Sequence, residues 1–400
     1  MYSLKKLNIF LRKKQTRNNN TTLSYKMEFS NILASPTLTE IYTEVNAQKF
    51  TLGNVNVSLA NAIRRTILSD IPTLGFYTEL YKNNQCHIEI NTTRLHNEIL
   101  KHRLSCIPIH MKQLDTLPGN YIMELDVENH TENMIIVTSE DFKIKNKTTD
   151  NYLTDAETKK IFPPNKISGM YIDFARLRPK ISDTILGEQL KLNCEFSVRT
   201  AKEHSAYNTV SKCAYSNKID EIKKNEVWDK EEQKLRSENT TDEDIAFQKK
   251  NFELLDAQRH FVPDAFEFTV ESVGVYENIE IVKKACSVLE ERLDDFIQSI
   301  DSNTIPINIS ETTMDNCYDI ILENEDYTLG KVLEYILYER YYVKEKTLTF
   351  CGFKIFHPHD TSGTIRVAYS MNVDRGIVGQ YLRTACVEAK DFFVKLNKMF

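Results

Sequence analysis

The residues that most resemble a chemical site are a short run, His357-Pro358-His359-Asp360. Imidazole and carboxylate groups are common zinc ligands, and the nearby Cys351 could add a thiolate. However, one short loop carries the whole run, and no other residue at ligand spacing supports it. The pattern therefore favours a structural turn between two strands over a metal site, and we expect no cofactor.

The eight cysteines are the second group of reactive side chains. No two of them have CxxC spacing, which argues against a local zinc knuckle or thiol redox pair. Cys106 near His110, and Cys351 near His357, could form thiolate–imidazole pairs. Neither pair has a carboxylate at a recognisable spacing that would orient the imidazole. We expect reduced, mostly buried thiols, as in intracellular proteins.

A phosphate-binding loop is not supported either, because the chain has 11 glycines and no Gly-rich run. An enzyme that acts alone is therefore disfavoured, and we expect no catalytic residue. A sequence-specific DNA-binding regulator is another alternative, but the formal net charge of −6 and the lack of a recognition-helix motif weigh against it. Nothing in these patterns assembles into an active site.

The stretch 50–72 predicts an amphipathic helix. Its apolar stripe is formed by Leu59, Ile63 and Ile67, which follow at steps of four and share one face. Asn56 or Ser58 can cap the first turn, because a side-chain oxygen accepts from free backbone N–H groups. Pro72 disfavours helical geometry in the residue before it, so the helix should end near Ser69.

A second stretch, 326–342, repeats this arrangement far downstream. Thr328 is its expected cap, and the stripe is formed by Leu329, Leu333, Ile336 and Leu337. Strand-like sequence precedes both helices. The two copies predict related half-domains whose stripes pack against each other, although two unrelated core helices would show the same periodicity.

The run 55–75 resembles the signature of RNA polymerase assembly subunits. That family comprises the bacterial alpha subunit, the archaeal D subunit and the third-largest subunit of eukaryotic RNA polymerase II. The runs 326–337 and 350–360 resemble the smaller partner, the archaeal L subunit and its eukaryotic counterpart, which is normally a separate chain. The presence of both kinds of run in one polypeptide resembles the fused subunits of large nucleocytoplasmic DNA viruses.

Further runs that resemble the family lie between these two. Residues 91–110 are similar to a helix leading into HRLxxIPL, and 199–216 to an AKEHxxW segment with Tyr207 at the aromatic position. Shorter similarities occur at 137–144 and 268–274. The cysteine cluster that holds a metal or iron–sulfur site in some members is lacking here, so that feature is not expected.

The resemblance implies a non-catalytic scaffold for assembly of a multisubunit DNA-dependent RNA polymerase. The implied intramolecular dimer interface consists of Leu59, Ile63, Ile67, Leu329, Leu333 and Ile336. The implied contacts to the large subunits are Asn61, Arg64, Arg65, Lys202, Glu203 and His204. The expected partners are the largest and second-largest subunits and smaller polymerase subunits; DNA is reached only through the complex, and no membrane is involved.

The expected fold is α+β, with two alpha-subunit-type dimerisation half-domains and an inserted β-rich domain. The expected parts are a D/alpha-like half at 31–80 plus 261–302, the insertion at 81–216, a charged helical linker at 217–260 and an L-like half at 303–400.

Residues 1–30 are expected to form a disordered basic tail, since the first 27 hold seven Lys or Arg and no acid. A transit peptide is the alternative, and Met27 could be the true start. The expected location is intracellular; if the source is viral, it is the host cytoplasm or nucleus, with packaging in the virion as an alternative.

Overall fold

A computed structural model describes residues 33–79, 82–182 and 186–400. The tail expected at 1–30, and with it the alternative start at Met27, lies outside these ranges. No helix within them is both long enough and apolar enough to cross a membrane.

Helices and strands both contribute throughout the described chain, as the predicted α+β class requires. The strands are β1 (Thr37–Glu44), β2 (Ala47–Gly53), β3 (Thr73–Gly75), β4 (Cys86–Asn91), β5 (Tyr121–Glu128), β6 (Ile135–Thr138), β7 (Lys143–Asn146), β8 (Asp173–Leu177), β9 (Gln189–Glu195), β10 (Ser197–Arg199), β11 (Val210–Ile219), β12 (Phe261–Ser272), β13 (Ile307–Ile309), β14 (Cys317–Leu322), β15 (Leu348–Lys354) and β16 (Gly363–Tyr369). The helices are α1 (Val57–Ser69), α2 (Asn97–Ser105), α3 (Asp155–Ile161), α4 (Glu221–Ser237), α5 (Asp242–Leu254), α6 (Asn278–Asp301), α7 (Tyr327–Leu337) and α8 (Arg375–Met399).

The paired strands run antiparallel. The first sheet has the order β1-β2-β12-β11, the second sheet β13-β14-β16-β15, and the inserted sheet β4-β9-β5-β7. Strand β3 pairs with β10 in one short ribbon, and β6 pairs with β8 in another. The α+β prediction is confirmed.

Helix α1 begins and ends where its sequence predicts. The Asn56 side chain accepts a hydrogen bond from the N–H of Ser58 at 2.8 Å, and the helix ends at Ser69. Helix α7 differs from the prediction, because Asp326 is its N-cap and accepts from the N–H of Thr328 at 2.8 Å. Thr328 instead lies inside the first turn, where its hydroxyl is available to another partner.

One hydrophobic core joins the first and second sheets. It contains the apolar faces of α1, α6, α7 and α8 together with side chains of both sheets. The six stripe residues Leu59, Ile63, Ile67, Leu329, Leu333 and Ile336 are each at most 1% exposed. The inserted sheet has a separate core, formed around residues such as Phe142, Phe174 and Leu192.

The predicted end of the insertion at residue 216 falls inside β11. This strand pairs with β12, with Cys213 opposite Val270, so residues 210–216 belong to the first sheet. The sequence of β11 alternates like the strands before it, and only its pairing with β12 shows to which sheet it belongs. Between these two adjacent strands, α4 and α5 form a helical hairpin with its own small core around Trp228 and Phe252.

The packing of α7 on the second sheet depends on a glycine. A Cβ at Gly330 would overlap the ring of Phe353 on β15, which lies directly over the helix. Glycine in a helix costs roughly 1 kcal/mol relative to alanine. The close approach of the ring explains why the helix carries glycine there.

We predict that Gly330→Ala lowers the stability of the chain. Overpacking a core costs about 1–3 kcal/mol, which outweighs the gain in helix propensity. Urea unfolding followed by circular dichroism measures the change. Gly376→Ala in the first turn of α8 is the control, because a Cβ there meets only the Asp374 carboxylate at 3.5 Å, and it should be neutral or stabilising. A Gly330→Ala chain as stable as this control would contradict the packing argument.

Candidate functional site

The most extensively built feature of the molecule is the junction between its two sheet-and-helix halves. Helix α1 packs its stripe against that of α7, and the long helices α6 and α8 pack beside them in the same core. Polar contacts flank the second helix pair: Lys390 on α8 contacts Asp294 on α6 at 2.6 Å, and Arg383 contacts Asp301 at 2.8 Å. The junction is therefore apolar inside and charged at its edges.

Arg65 on α1 spans this junction. Its Nε donates to the Thr328 hydroxyl at 2.8 Å, and its Nη2 donates to Asp326 at 2.8 Å. The sequence interpretation gave Arg65 to a large partner subunit. The guanidinium also bonds the start of α7 within the same chain while its side chain stays 38% exposed, so the outside contact stays a prediction. The planar guanidinium bonds the hydroxyl and the carboxylate from two different nitrogens in a fixed geometry, which the single ammonium nitrogen of lysine does not provide.

A second arginine makes a more buried link. Arg292 on α6 contacts Asp70 at the end of α1 at 2.9 Å, and it also pairs with Glu325, the residue before the cap of α7. The side chains of Arg292, Asp70 and Glu325 are only 20%, 12% and 9% exposed. One guanidinium thus holds two carboxylates that come from opposite sides of the junction.

The charges of this cluster are unequally solvated. Burial raises the pKa of the Glu325 carboxyl, and the charge of Arg292 opposes that rise without cancelling it. Losing Arg292 would leave Asp70 and Glu325 as two like charges in a poorly solvated place. Removal of one partner from such a buried cluster is strongly destabilising, because the remaining charge is uncompensated.

The loop 199–204 lies against the end of α1. The backbone N–H of Lys202 donates to the carbonyl of Ser69 at 2.8 Å, while the side chains of Lys202 and Glu203 are exposed. Glu203 pairs with Arg199 at 2.7 Å. Two segments that the sequence assigned separately to one surface, α1 and this loop, are therefore neighbours.

His204 holds the loop together. Its Nδ1 accepts from the N–H of Ala206 at 3.2 Å, and its Nε2 lies 2.9 Å from a Glu79 carboxylate oxygen. Its ring also packs edge-on against Tyr77 and Tyr207. Both nitrogens have partners inside the chain, and the assignment of His204 as a contact to another subunit stays a prediction.

The remaining predicted contacts, Asn61 and Arg64, are half-exposed on α1. The Nε of Arg64 donates to the Asn61 side chain at 3.3 Å, a weak bond that leaves the rest of the guanidinium available. Together with Arg65, Lys202, Glu203 and His204 they remain a predicted contact surface. The six stripe residues, by contrast, are inaccessible to any partner outside the chain.

The His357–Asp360 run forms a tight turn between β15 and β16. Asp360 accepts from the N–H of His357 at 2.9 Å, and Nδ1 of His357 accepts from the N–H of His359 at 3.2 Å. Burial raises the pKa of the nearby Cys351 thiol to about 12, which disfavours a thiolate. Within the described ranges, no group of three or more His, Cys, Asp or Glu side chains could hold a metal ion.

Sequence reasoning missed the residues that connect the halves through charge, namely Asp70, Arg292, Glu325 and Asp326. The only local signal was Asp326, an acidic residue just before a helical stripe and so a good capping residue. In the sequence, Asp70, Arg292 and Glu325 look like ordinary polar positions. Their partners lie far away in the chain, so only the tertiary arrangement shows the pairing.

This arrangement defines a class: an α+β protein organised around a dimerisation-type helix junction. The sequence matches the family described as RNA polymerase Rpb3/Rpb11 dimerisation domain over residues 49–293, which is more than half of the 400-residue chain. The chain belongs to this family. The match covers α1, the insertion and most of α6, while α7, the second sheet and α8 lie beyond it.

Individual relatives agree with the family. A conjugation stage-specific protein of Tetrahymena thermophila is 25% identical over 303 residues, which cover 64% of this chain and 92% of that protein. The RNA polymerase II subunit RPB3 of Schizosaccharomyces pombe is 24% identical, covering 64% and 84%. The RNA polymerase subunit Rpo3 of Pyrococcus furiosus is 28% identical, covering 64% and 94%. The family and the RPB3 and Rpo3 relatives support an alpha-like RNA polymerase subunit.

We predict that Arg292→Met destabilises the chain by about 3–5 kcal/mol at neutral pH, as removal of one partner from a buried ion cluster does. The pKa of Glu325 is higher in the folded state, so the folded chain keeps this proton to higher pH than the unfolded chain does. The free energy of unfolding therefore falls as the pH rises from the unfolded-state pKa through the folded-state pKa. Without Arg292 the pKa of Glu325 rises further. The deficit should therefore shrink in mildly acidic buffer, where Glu325 is protonated.

Urea unfolding at neutral and mildly acidic pH measures this effect. Arg259→Met is the control, since Arg259 is 80% exposed and pairs with Asp256 at the surface. Adding Glu325→Gln to Arg292→Met should restore part of the loss. A neutral-pH stability equal to that of the control would show that the cluster contributes little.

Proposed function

We propose that this chain is a one-polypeptide version of the D–L type heterodimer and a non-catalytic assembly scaffold of a multisubunit DNA-dependent RNA polymerase. The observation that carries the proposal is the shared core. A strand-and-helix unit containing α1 and α6 packs, stripe to stripe, on a second unit containing α7 and α8. The second unit takes the place that a separate L-like partner would occupy.

Joining the halves has a physical advantage. A short connection converts pairing into an intramolecular event with an effective concentration of about mM or more. Only residues 302–306 separate α6 from β13. Pairing would then be independent of the level of a partner chain.

The surface proposed for the second-largest subunit consists of Asn61, Arg64, Arg65, Lys202, Glu203 and His204. Two of these residues are also held by partners within the chain, Arg65 by α7 and His204 by Glu79. The scaffold would recruit the largest subunit and smaller polymerase subunits after this contact, and it would meet DNA only through the complex. A fusion of this kind resembles the fused polymerase subunits of large DNA viruses, so we propose a viral source. The location would then be the cytoplasm or nucleus of the infected cell, with packaging in the virion as an alternative.

The intramolecular interface can be tested by cutting the chain. A protease site inserted between Ser302 and Asn303, which are both exposed, would yield two fragments after cleavage. We expect the fragments to co-elute from a sizing column without denaturant, because the stripes remain buried together. Ile63→Asp should separate them, whereas Val57→Asp at an exposed position of α1 should not. Separation of the unmutated fragments would overturn the proposed interface.

The assembly role is tested by isolating the tagged chain from its native source. Recovery of two very large polypeptides together with RNA synthesis supports the scaffold role, whereas a chain recovered alone contradicts it. RNA synthesis or salt-dependent DNA binding by the isolated chain would favour the enzyme or the DNA-binding regulator instead.

A charge reversal then tests the proposed surface. Arg64→Glu should reduce recovery of the large polypeptides severalfold while leaving the urea midpoint unchanged. Lys230→Glu, the same charge change on the exposed side of α4, is the matched control. Equal recovery with both variants would remove Arg64 from the surface.

A further inference from the structure

Two cysteines far apart in the sequence face each other in the inserted sheet. Strand β4 pairs with β9 in a register that places Cys86 directly opposite Cys194. Both side chains are buried, at 2% and 0% exposure. They lie on the same face of the sheet, toward the core of the inserted domain.

The type of strand pairing brings these two residues especially close. The N–H of Glu195 donates to the carbonyl of Gln85 at 3.2 Å, so the neighbouring pair is a hydrogen-bonded one. Pair types alternate along an antiparallel ladder, which makes Cys86 and Cys194 a non-hydrogen-bonded pair. Such pairs have Cα atoms about 4.5 Å apart, within the range that a disulfide spans.

The Cys194 thiol donates to the carbonyl of Glu195 at 3.6 Å, and it also acts on the neighbouring Cys86 thiol. A hydrogen bond from Cys194 lowers the pKa of the Cys86 thiol even though burial opposes this, while burial raises that of Cys194. Burial raises the pKa of two cysteines elsewhere, Cys213 and Cys386, to about 12. Cys86 is therefore the better nucleophile of the pair, with a second sulfur beside it.

We propose that Cys86 and Cys194 form a reversible dithiol–disulfide site, oxidised by a small-molecule disulfide such as oxidised glutathione. The Cys86 thiolate attacks one sulfur of that disulfide, whose S–S bond breaks and releases one glutathione thiolate. Cys194 then loses its proton and attacks the Cys86 sulfur, releasing the second glutathione. Two protein thiols are oxidised, one glutathione disulfide is reduced, and the two protons pass to the released thiolates.

The position of the pair in the fold supports access and gives oxidation a consequence. Strand β4 is an edge strand of its sheet, and Cys86 is its first residue, so local opening at one end exposes the thiol. Strand β9 leads through Phe196 into β10, which pairs with β3 directly after α1. A bond between β4 and β9 would thus stiffen the strand that connects the inserted domain to the dimerisation core.

The test oxidises the folded, full-length chain with oxidised glutathione, blocks the remaining thiols with an alkylating reagent and maps peptides by mass spectrometry. We expect a cross-linked peptide pair containing Cys86 and Cys194, with the loss of two hydrogens, and its disappearance on addition of dithiothreitol. The oxidised chain should also have a higher midpoint of thermal unfolding than the reduced chain.

Cys194→Ser should retain a glutathione adduct on Cys86, because the resolving thiol is gone. Cys213→Ser, which removes a buried cysteine of the first sheet, is the control and should leave the cross-link intact. If both Cys86 and Cys194 of the folded wild-type chain remain alkylatable after oxidation, or if another cysteine pair is joined, the proposal is wrong. This outcome is independent of polymerase assembly.

Discussion

The rest of the structure depends on the burial of two apolar helix faces against each other. The sheet of each half covers only part of the apolar stripe on its helix, α1 in the first half and α7 in the second. The two stripes cover each other. Burying a leucine or isoleucine side chain contributes about 1.5–3 kcal/mol. Either half alone would expose this surface to water, so the core is a property of the pair.

Charged groups around that core contribute little free energy and mainly fix how the two halves are oriented. Arg65 with Asp326 is partly exposed, and such pairs contribute about 1 kcal/mol or less. Arg292, Asp70 and Glu325 are better buried, so their contribution includes a large desolvation cost. A guanidinium that must meet a carboxylate from each side fixes the angle and register at which the halves meet. Apolar side chains alone would tolerate several such arrangements.

The internal contacts also determine how far the polar side chains around α1 are exposed. Arg65 and His204 look like surface residues in the sequence, yet both bind partners within the chain. Asn61, Arg64, Lys202 and Glu203 keep exposed polar groups around α1. The proposed contact surface lies on the same helix whose other face holds the halves together, so folding of the chain would be coupled to presentation of that surface.

The sequence by itself determined local features: the bounds of α1, the two apolar stripes, the α+β class and the turn at His357–Asp360. These follow from periodicity, capping and proline, which act over a few residues. Only the tertiary structure decided that β11 belongs to the first sheet, that Arg292 joins Asp70 to Glu325, and that Cys86 meets Cys194. Each of these depends on which distant strand or helix becomes a neighbour. A local pattern is compatible with many such neighbours, and the choice among them is made by the packing of the whole core.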